Sequence, residues 1–494
     1  MKILFLNPPD QFTLTESPNE KGEGFLESDE FGYFPPLGIL YVMSYLEKVY
    51  PQHELIFHDC IAEKIGHEDI AALIQKIQPD VVGVTSFTIA LVDVLKLAET
   101  VKRVRPQCHL CLGGHHPIAF PVQAALLPHF DSVVVGEGEK AFAELVSCLE
   151  KNEDFTGITG VYTRESIRKW IGTDYQDKRF LTHINVPAAY INVLDELPFP
   201  DRRRLRGNYN SIVGSSKKMA TILSTRGCPY LCTFCDVPYK KYRTRSISSV
   251  VDEIEQCLAQ GFEEFHFYDD LFNITASKVI EFCDEVEKRN LKFHWDFRGR
   301  VNAVTEESLI RAKRAGCRQI SFGVETGSNE GLRYLKKGTT VEKYLEVFGL
   351  CRKHGIRTIA DYIIGFPFEK TREDVLRNID FLCELDPDFA QIAILMVLPN
   401  TPLYFEAIEK GLIRKNEWED FCLNPTTEFR ISHWEEHLSL NELTRLQAQA
   451  YNRFYFRPAY ILRQIMSVNS WYDFTTKSRG VLKLIGNVAK RIAA

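Results

Sequence analysis

Short, almost continuous apolar runs alternate with amphipathic stretches through the first part of the chain. The runs are KILFLNP (2–8), HELIFHD (53–59), DVVGVTSF (80–87), HLCLGG (109–114) and SVVVGEG (132–138). Between them, LGILYVMSYLEKVY, EDIAALIQKI and LVDVLKLAETVKRV place apolar residues at helical spacing. Strands that are apolar throughout must be covered on both faces. The pattern therefore predicts about five parallel strands with helices on either side, a doubly wound α/β domain over 1–190. Its strand exits, NPP, TSFT, GGHHP and GEGE, are rich in Pro, Gly, Ser and Thr. Ligands in such folds sit at these carboxyl ends, so the four loops together favour a ligand site over simple turns.

A second alternating series follows LDELPFPDRRRLRGNY (194–209), a Pro- and Arg-bearing stretch expected to act as a linker over 191–210. Its strands are ATILSTR (220–226), EEFHFYDD (263–270), FHWDFRGR (293–300), RQISFGVE (318–325), TIADYIIG (358–365) and FAQIAILMVL (389–398). Amphipathic helices separate them, several ending in Gly or Asn, which tolerate a left-handed C-cap. Six β/α units in a row predict a partial (β/α)6 barrel over 211–410, laterally open because eight units cannot be found. From Thr401 onward the periodicity is helical only, so 411–494 is expected to be a helical C-terminal region. The expected fold class is α/β: a doubly wound sheet, a partial barrel and a helical tail.

Composition narrows the function classes. The chain has 494 residues, too many for one ordinary core, with 45% hydrophobic and 26% charged positions. Its net charge of −6 provides no basic field for nucleic acid, and the Arg run at 202–204 lacks interleaved stacking aromatics. No apolar run is long enough to span a bilayer. The opening MKILFLNPPD reads as a buried first strand rather than a signal peptide. Thirteen scattered cysteines, an odd number without an export signal, favour reduced thiols and a cytoplasmic location.

Three of those cysteines are not scattered. RGCPYLCTFCDVPYKKYR (226–243) places Cys228, Cys232 and Cys235 on one loop after the first barrel strand, at the mouth where barrels carry their chemistry. Gly227 and Pro229 disfavour helix and leave the segment free to wrap a ligand. Three thiolates cannot close a tetrahedral zinc site without a distant fourth ligand. They can hold three irons of a [4Fe–4S] cluster and leave the fourth open. The alternatives are a zinc site completed from afar or three unrelated core thiols. Cys108 and Cys111 are rejected as a chelate, because residues three apart in a strand point to opposite faces. The later cysteines are isolated and give no support to a second cluster.

Cys-x3-Cys-x2-Cys with aromatic Phe234 before the last cysteine resembles the signature of the radical S-adenosylmethionine (SAM) superfamily. The resemblance implies that the open iron chelates the amino and carboxylate groups of SAM. It also implies that reductive cleavage gives a 5′-deoxyadenosyl radical, which takes a hydrogen atom from substrate. Later strand ends follow the same order. Asp269 and Asp270 in FYDDLF stand where the family contacts the SAM amino group, although the commoner Gly-Gly-Glu is absent. Glu325 in SFGVETGS is, by the same resemblance, a SAM-contacting carboxylate, and backbone near Gly365 in IIGFPFEKT approaches adenine. Asn400 stands where the related pattern has Gly. Arg300, at the third strand end, faces either an anionic group or a surface ion pair. The resemblance names no catalytic acid or base. It implies an electron donor such as flavodoxin or ferredoxin and a small-molecule substrate.

FGYFPPLGILYVMSYL (31–46), DVVGVTSFT, LGGHHP and VVGEGEKAF look like the N-terminal half of cobalamin-dependent radical SAM enzymes. The likeness covers about 1–410 and, weakly, the rest, and implies a cobalamin-binding domain over 1–190. One departure concerns the lower axial ligand. Asp59-Cys60-Ile61-Ala62-Glu63-Lys64 lacks the His and Gly of Asp-x-His-x-x-Gly, so that motif supplies no imidazole to cobalt. His58, His115 and His116 stay as candidates. The resemblance implies a methyltransferase acting on an unactivated carbon. The alternatives are a non-methylating radical reaction, such as that of the anaerobic cyclase family with its similar RFYFRPAYILRQ tail, and a cobalamin-binding regulator with a vestigial barrel. Finally, KSRGVLKLIGNVAKRIAA (477–494) has the pattern of a basic amphipathic helix. It packs on the barrel or lies at a membrane surface, which would suit a hydrophobic substrate.

Overall fold

In the computed structural model, which describes residues 1–14, 33–172, 186–207, 209 and 218–466, the chain divides into two units. The first comprises Met1–Pro18, Pro35–Tyr209 and Ile413–Arg430. The second comprises Asn19–Phe34, Asn210–Leu412 and Ile431–Ala494.

The first unit is built on β1 (Lys2–Asn7), β2 (Glu54–Asp59), β3 (Val81–Ser86), β4 (His109–Gly114), β5 (Ser132–Val134) and β6 (Val161–Tyr162). Their order is β2-β1-β3-β4-β5-β6. The first five are parallel, and β6 runs antiparallel to β5. The chain steps one way from β1 to β2 and the other way to β3. Right-handed crossovers then place helices on both faces. This is why Ile3, Leu4, Leu6, Val82, Leu110 and Leu112 are all buried, although neighbours along a strand face opposite ways.

The stretch read as a linker belongs to this unit. Arg204 pairs with Glu47 at 2.8 Å, and the Tyr209 hydroxyl donates to Asp59 at 2.9 Å. Gly207 lies so close to Ala62 that an added Cβ would come within 2.2 Å. Part of the expected C-terminal region also belongs here. The helix Glu417–Leu423 carries Trp418 and Phe421, whose rings pack on Phe429 at 5.1 and 4.3 Å.

The second unit has an antiparallel pair, β8 (Thr225–Arg226) and β9 (Arg243–Thr244), beside a six-stranded sheet. The sheet strands are β7 (Met219–Ile222), β10 (Glu264–Phe267), β11 (His294–Gly299), β12 (Cys317–Glu325), β13 (Arg357–Ile364) and β14 (Phe389–Ile394). All pairings in the sheet are parallel, in the order β14-β13-β12-β11-β10-β7. Because the chain steps in one direction only, right-handed crossovers put every connecting helix on one face, as in a partial (β/α)6 barrel. That face is apolar: the rings of Phe267, Phe272, Phe282, Trp295 and Phe297 lie 4.4–5.2 Å apart in successive contacts. The alternate positions point the other way and carry a row of polar residues among Ile359, Ile363 and Ala393. The polar residues include His266 on β10, Asp296 and Arg298 on β11, Ser321 on β12, Asp361 on β13 and Gln391 on β14.

An open barrel leaves an edge strand with unpaired backbone groups. Here side chains of the helix Leu440–Tyr455 cover it. The Tyr451 hydroxyl accepts from Ile392 N at 3.0 Å and donates to Ile392 O at 3.2 Å. Tyr455 does the same for Ala390 at 3.0 and 2.9 Å. Tyr460 and Gln464 donate to Asp388 O, while Arg457 and Arg463 pair with Asp386. The RFYFRPAYILRQ segment thus finishes the barrel edge. Among the described residues no helix is long and apolar enough to cross a membrane. The basic amphipathic stretch 477–494 lies outside the described residues.

Candidate active site

The cysteine loop runs between β8 and β9. At its neck Gly227 has φ +84°, and a Cβ there would lie 2.6 Å from Lys241 O and 2.7 Å from Tyr239 O, so only glycine fits. Cys228 N donates to Tyr239 O at 2.9 Å, and Cys235 N to Cys232 O at 3.3 Å. Two further backbone bonds fix the tip: Thr233 N to Leu335 O at 3.2 Å and Leu403 N to Thr233 O at 3.1 Å. Phe234 packs edge-on against Phe366, 5.9 Å between centroids, which ties the loop to the segment after β13. All thirteen cysteines are free thiols. Burial pushes the Cys228 thiol up and the Cys235 thiol up to about 12. Thiols so placed are poor open nucleophiles, and soft iron is the kind of partner that displaces their protons. Among the described residues no group of three His, Cys, Asp or Glu converges on a single metal ion. The donor set fits a cluster in which each thiolate meets a different iron.

Asp269, placed by sequence at the SAM ammonium, is buried. Its carboxylate accepts from Ser224 N at 2.7 Å, Ser224 Oγ at 2.6 Å and Thr225 N at 2.7 Å. It therefore anchors the backbone immediately before the cysteine loop. Beside it, Lys278 is drawn down to about 8 by burial, which outweighs the attraction of Asp269. Asp270 keeps an exposed face, although protein crowds it on most sides. That crowding, then the charge of Asp269, raises its carboxyl, and an N–H bond from Gly227 opposes the rise. Of the two, Asp270 has the carboxylate open to a cation.

Glu325 ends β12 at a register shift and holds φ +65°, a conformation that costs about 1–3 kcal/mol for such a residue and recurs at functional sites. Its Oε1 lies 2.9 Å from Lys337 Nζ, and both side chains are buried. Burial works against the Lys337 charge, but Glu325 more than compensates and holds the ammonium above its usual range. Gly365 has φ +87°. Its N–H donates to Glu369 Oε2 at 2.6 Å, with Phe366 N at 3.0 Å on the same oxygen and Asn378 Nδ2 at 2.5 Å on Oε1. Glu369 so fixes the loop that sequence places at adenine. Asn400 has φ +64°, a left-handed turn that Asn tolerates and Gly usually fills.

Sequence reasoning missed the polar row on the open face of the barrel. His266 Nδ1 pairs with Asp296 across adjacent, register-matched positions of β10 and β11. His266 Nε2 and Gln319 Oε1 are buried without hydrogen-bond partners among the described residues. Asp361 is raised to about 6 by burial first, with Arg298 opposing and Glu325 assisting. The available signal was alternation: polar residues at every second position of strands whose other positions are large and apolar.

In the first unit the sheet reverses direction at β1, so its switch point lies at the exits of β1 and β3. Phe87, just past β3, is 63% exposed and stacks on His115 at 5.8 Å, an apolar surface suited to a flat macrocycle. A Cβ on Gly113 would meet nothing nearer than 4.0 Å, so space remains beside it. Asp59 accepts from Asn7 at 2.8 Å and Tyr209 at 2.9 Å, and His58 pairs with Glu63 at 2.8 Å. His116 is buried and drawn down to about 3 by burial, its Nδ1 3.1 Å from Thr88 Oγ1. These contacts engage the Asp59 carboxylate and one ring nitrogen each of His58 and His116 within the protein.

A thiol-rich loop on a partial barrel, joined in one chain to a doubly wound sheet, defines a radical enzyme with a second cofactor domain. A family model of the radical SAM superfamily matches residues 222–382, and a model of the B12 binding domain matches residues 31–146. An uncharacterized methyltransferase of Pyrococcus horikoshii is 28% identical over 491 residues, 98% of either chain. The anaerobic magnesium-protoporphyrin IX monomethyl ester cyclase of Rubrivivax gelatinosus is 28% identical over 421 residues, 83% of this chain and 70% of the cyclase. The solved structure of the cobalamin-dependent S-adenosylmethionine radical enzyme OxsB with aqua-cobalamin bound shares the fold. Its TM-score is 0.69 at 18% identity, over 98% of this chain and 72% of OxsB. The chain thus carries a radical SAM domain and a B12 binding domain, the pair of domains that cobalamin-dependent radical SAM enzymes combine. Its cofactors are a [4Fe–4S] cluster, SAM and cobalamin.

Proposed function

We propose that this enzyme is a methyltransferase that acts on an unactivated carbon of a small molecule. The observation that carries the proposal is a complete three-thiol loop, fastened at neck and tip, in a chain that also has a B12 binding domain. The cluster and SAM supply a hydrogen-abstracting radical when bound, and cobalamin supplies the methyl group. Cys228, Cys232 and Cys235 hold the cluster. Asp270 and Glu325 receive the polar end of SAM, with Asp269 holding the loop beneath and Gly365 shaping the adenine side. The polar row His266, Asp296, Arg298 and Asp361 supports a substrate with polar groups at the end that enters the barrel. The name of the Pyrococcus relative supports methyl transfer.

The cyclase relative favours the non-methylating alternative. The shared tail adds nothing to it, because Tyr455, Arg457, Tyr460 and Arg463 in this chain cover the barrel edge and hold Asp386. Thirteen free thiols support a reducing cytoplasm, where a flavodoxin or ferredoxin would deliver the electron. Membrane contact through 477–494 belongs to the same proposal. Flotation of the full chain, but not of one truncated after 472, with anionic liposomes at low salt would support it. Equal behaviour would contradict it.

Anaerobic turnover with methyl-labelled SAM and cell extract tests the main reading. Label should leave SAM in a new carbon–methyl group, with 5′-deoxyadenosine as co-product. Formation of 5′-deoxyadenosine with a product that has lost hydrogen but gained no label would favour the alternative.

A further inference from the structure

Arg300 is held at five points, and what it faces is a cluster ligand. Its backbone is clamped by buried Asn273, which accepts from Arg300 N at 2.8 Å and donates to Arg300 O at 2.9 Å. The guanidinium lies 3.8 Å over the ring of Tyr230, a residue of the cysteine loop. Nη2 donates to Lys337 O, and Nη1 stands 3.6 Å from Cys232 Sγ. Among the described residues no carboxylate pairs with Arg300. The other nearby cation, Lys337, is neutralised by Glu325 at 2.9 Å. The uncompensated positive charge beside Cys232 is therefore that of Arg300.

We infer that Arg300 is a positioning residue that tunes the cluster by hydrogen bonding to the Cys232 sulfur and so favours its reduced state. This rests on the assignment of Cys228, Cys232 and Cys235 to the cluster. The step concerned is uptake of one electron from a one-electron donor, with no bond made or broken and no proton moved. The added electron places more negative charge on iron and thiolate sulfur. An N–H donor that is also a cation stabilises that state more than the oxidised one. Without it the midpoint potential falls.

The test is a dithionite-poised spectroelectrochemical titration of anaerobically reconstituted wild type, Arg300→Met, Arg300→Lys and Tyr230→Leu, with iron and sulfide measured for each. Arg300→Met should show about a tenfold lower reduced-to-oxidised ratio at fixed potential, which is about 59 mV for one electron. Arg300→Lys and Tyr230→Leu should shift the same way by less, since the first keeps a charge and the second frees the guanidinium from its stack. If Arg300→Met does not retain a cluster, Arg300→Gln and Tyr230→Leu decide the matter. Loaded variants titrating with wild type, or shifting positive, would overturn the inference. So would an unchanged potential with weakened SAM binding, which would make Arg300 a SAM contact instead. A wild type without about four irons per chain would instead remove the cluster assignment itself.

Discussion

The two six-stranded sheets are made from the same kind of β/α unit and differ in how the chain steps between strands. In the first sheet the direction reverses at β1, helices cover both faces, and the middles of the strands are apolar on both faces. Such a sheet can offer a ligand only the edge at its carboxyl ends. In the second the chain steps one way from β7 to β14. Helices gather on one face, and the other is free to carry His266, Asp296, Arg298 and Asp361. Helix starts differ too. Ser246, Thr275, Thr305, Thr340 and Thr371 each cap their own helix in the second unit. In the first, Pro36, Ala90, Phe120 and Glu137 give no side-chain cap, and Asp59 caps only the short helix Cys60–Glu63.

Buried carboxylates separate the units most sharply. Asp269→Ala should cost about 3–5 kcal/mol, because two backbone N–H groups and the Ser224 hydroxyl lose their acceptor and buried Lys278 loses the negative charge beside it. Most of the iron should go with it. Asp93→Ala is the matching change in the first unit, where Asp93 holds Phe12 N at 3.0 Å, Thr13 Oγ1 at 2.9 Å and His67 Nε2 at 2.8 Å. It should destabilise comparably and leave iron in place. Denaturant unfolding and iron content check both, and iron retained in Asp269→Ala would break the distinction.

Polarity of the open face gives the next effect. Asp361 sits at about 6 in the folded chain, above the usual value of about 4 for an aspartate in an unfolded chain. An acid so raised contributes stability that is full below its unfolded value and is lost as pH rises through its folded one. Asp361→Asn should therefore be more stable than wild type above pH 6, by about 1–3 kcal/mol, with the gap closing towards about pH 4. Melting curves of the apoprotein across that window would show it, and a pH-independent gap would contradict it. Smaller again, Tyr451→Phe and Tyr455→Phe should each cost about 1 kcal/mol and promote aggregation through the uncovered β14 edge, visible by light scattering. Least of all, Thr371→Ala should cost about 1 kcal/mol or less in equilibrium unfolding.

Both sheets were legible in the sequence because their apolar positions recur at strand spacing and are bounded by helical periods. The β12 run ending at Glu325 and the β4 run at Gly114 fall where they were expected. Cys228, Cys232 and Cys235 were legible because three thiols on one Gly/Pro loop seldom serve packing. Lys337, Glu369 and Asn378 were not, since each acts through a partner distant in sequence and carries no local signature. The placement of 413–430 was hidden for a related reason. Trp418 and Phe421 show that the short helix is amphipathic, but not which core receives it.

The central claim is that the three thiols leave one iron open for SAM. Electron paramagnetic resonance of the dithionite-reduced protein, recorded before and after SAM is added, tests it most directly. The expected result is a [4Fe–4S] signal with about four irons per chain whose g-values change on SAM addition and which is lost in Cys232→Ala. A signal indifferent to SAM, or one that survives Cys232→Ala unchanged, would contradict it.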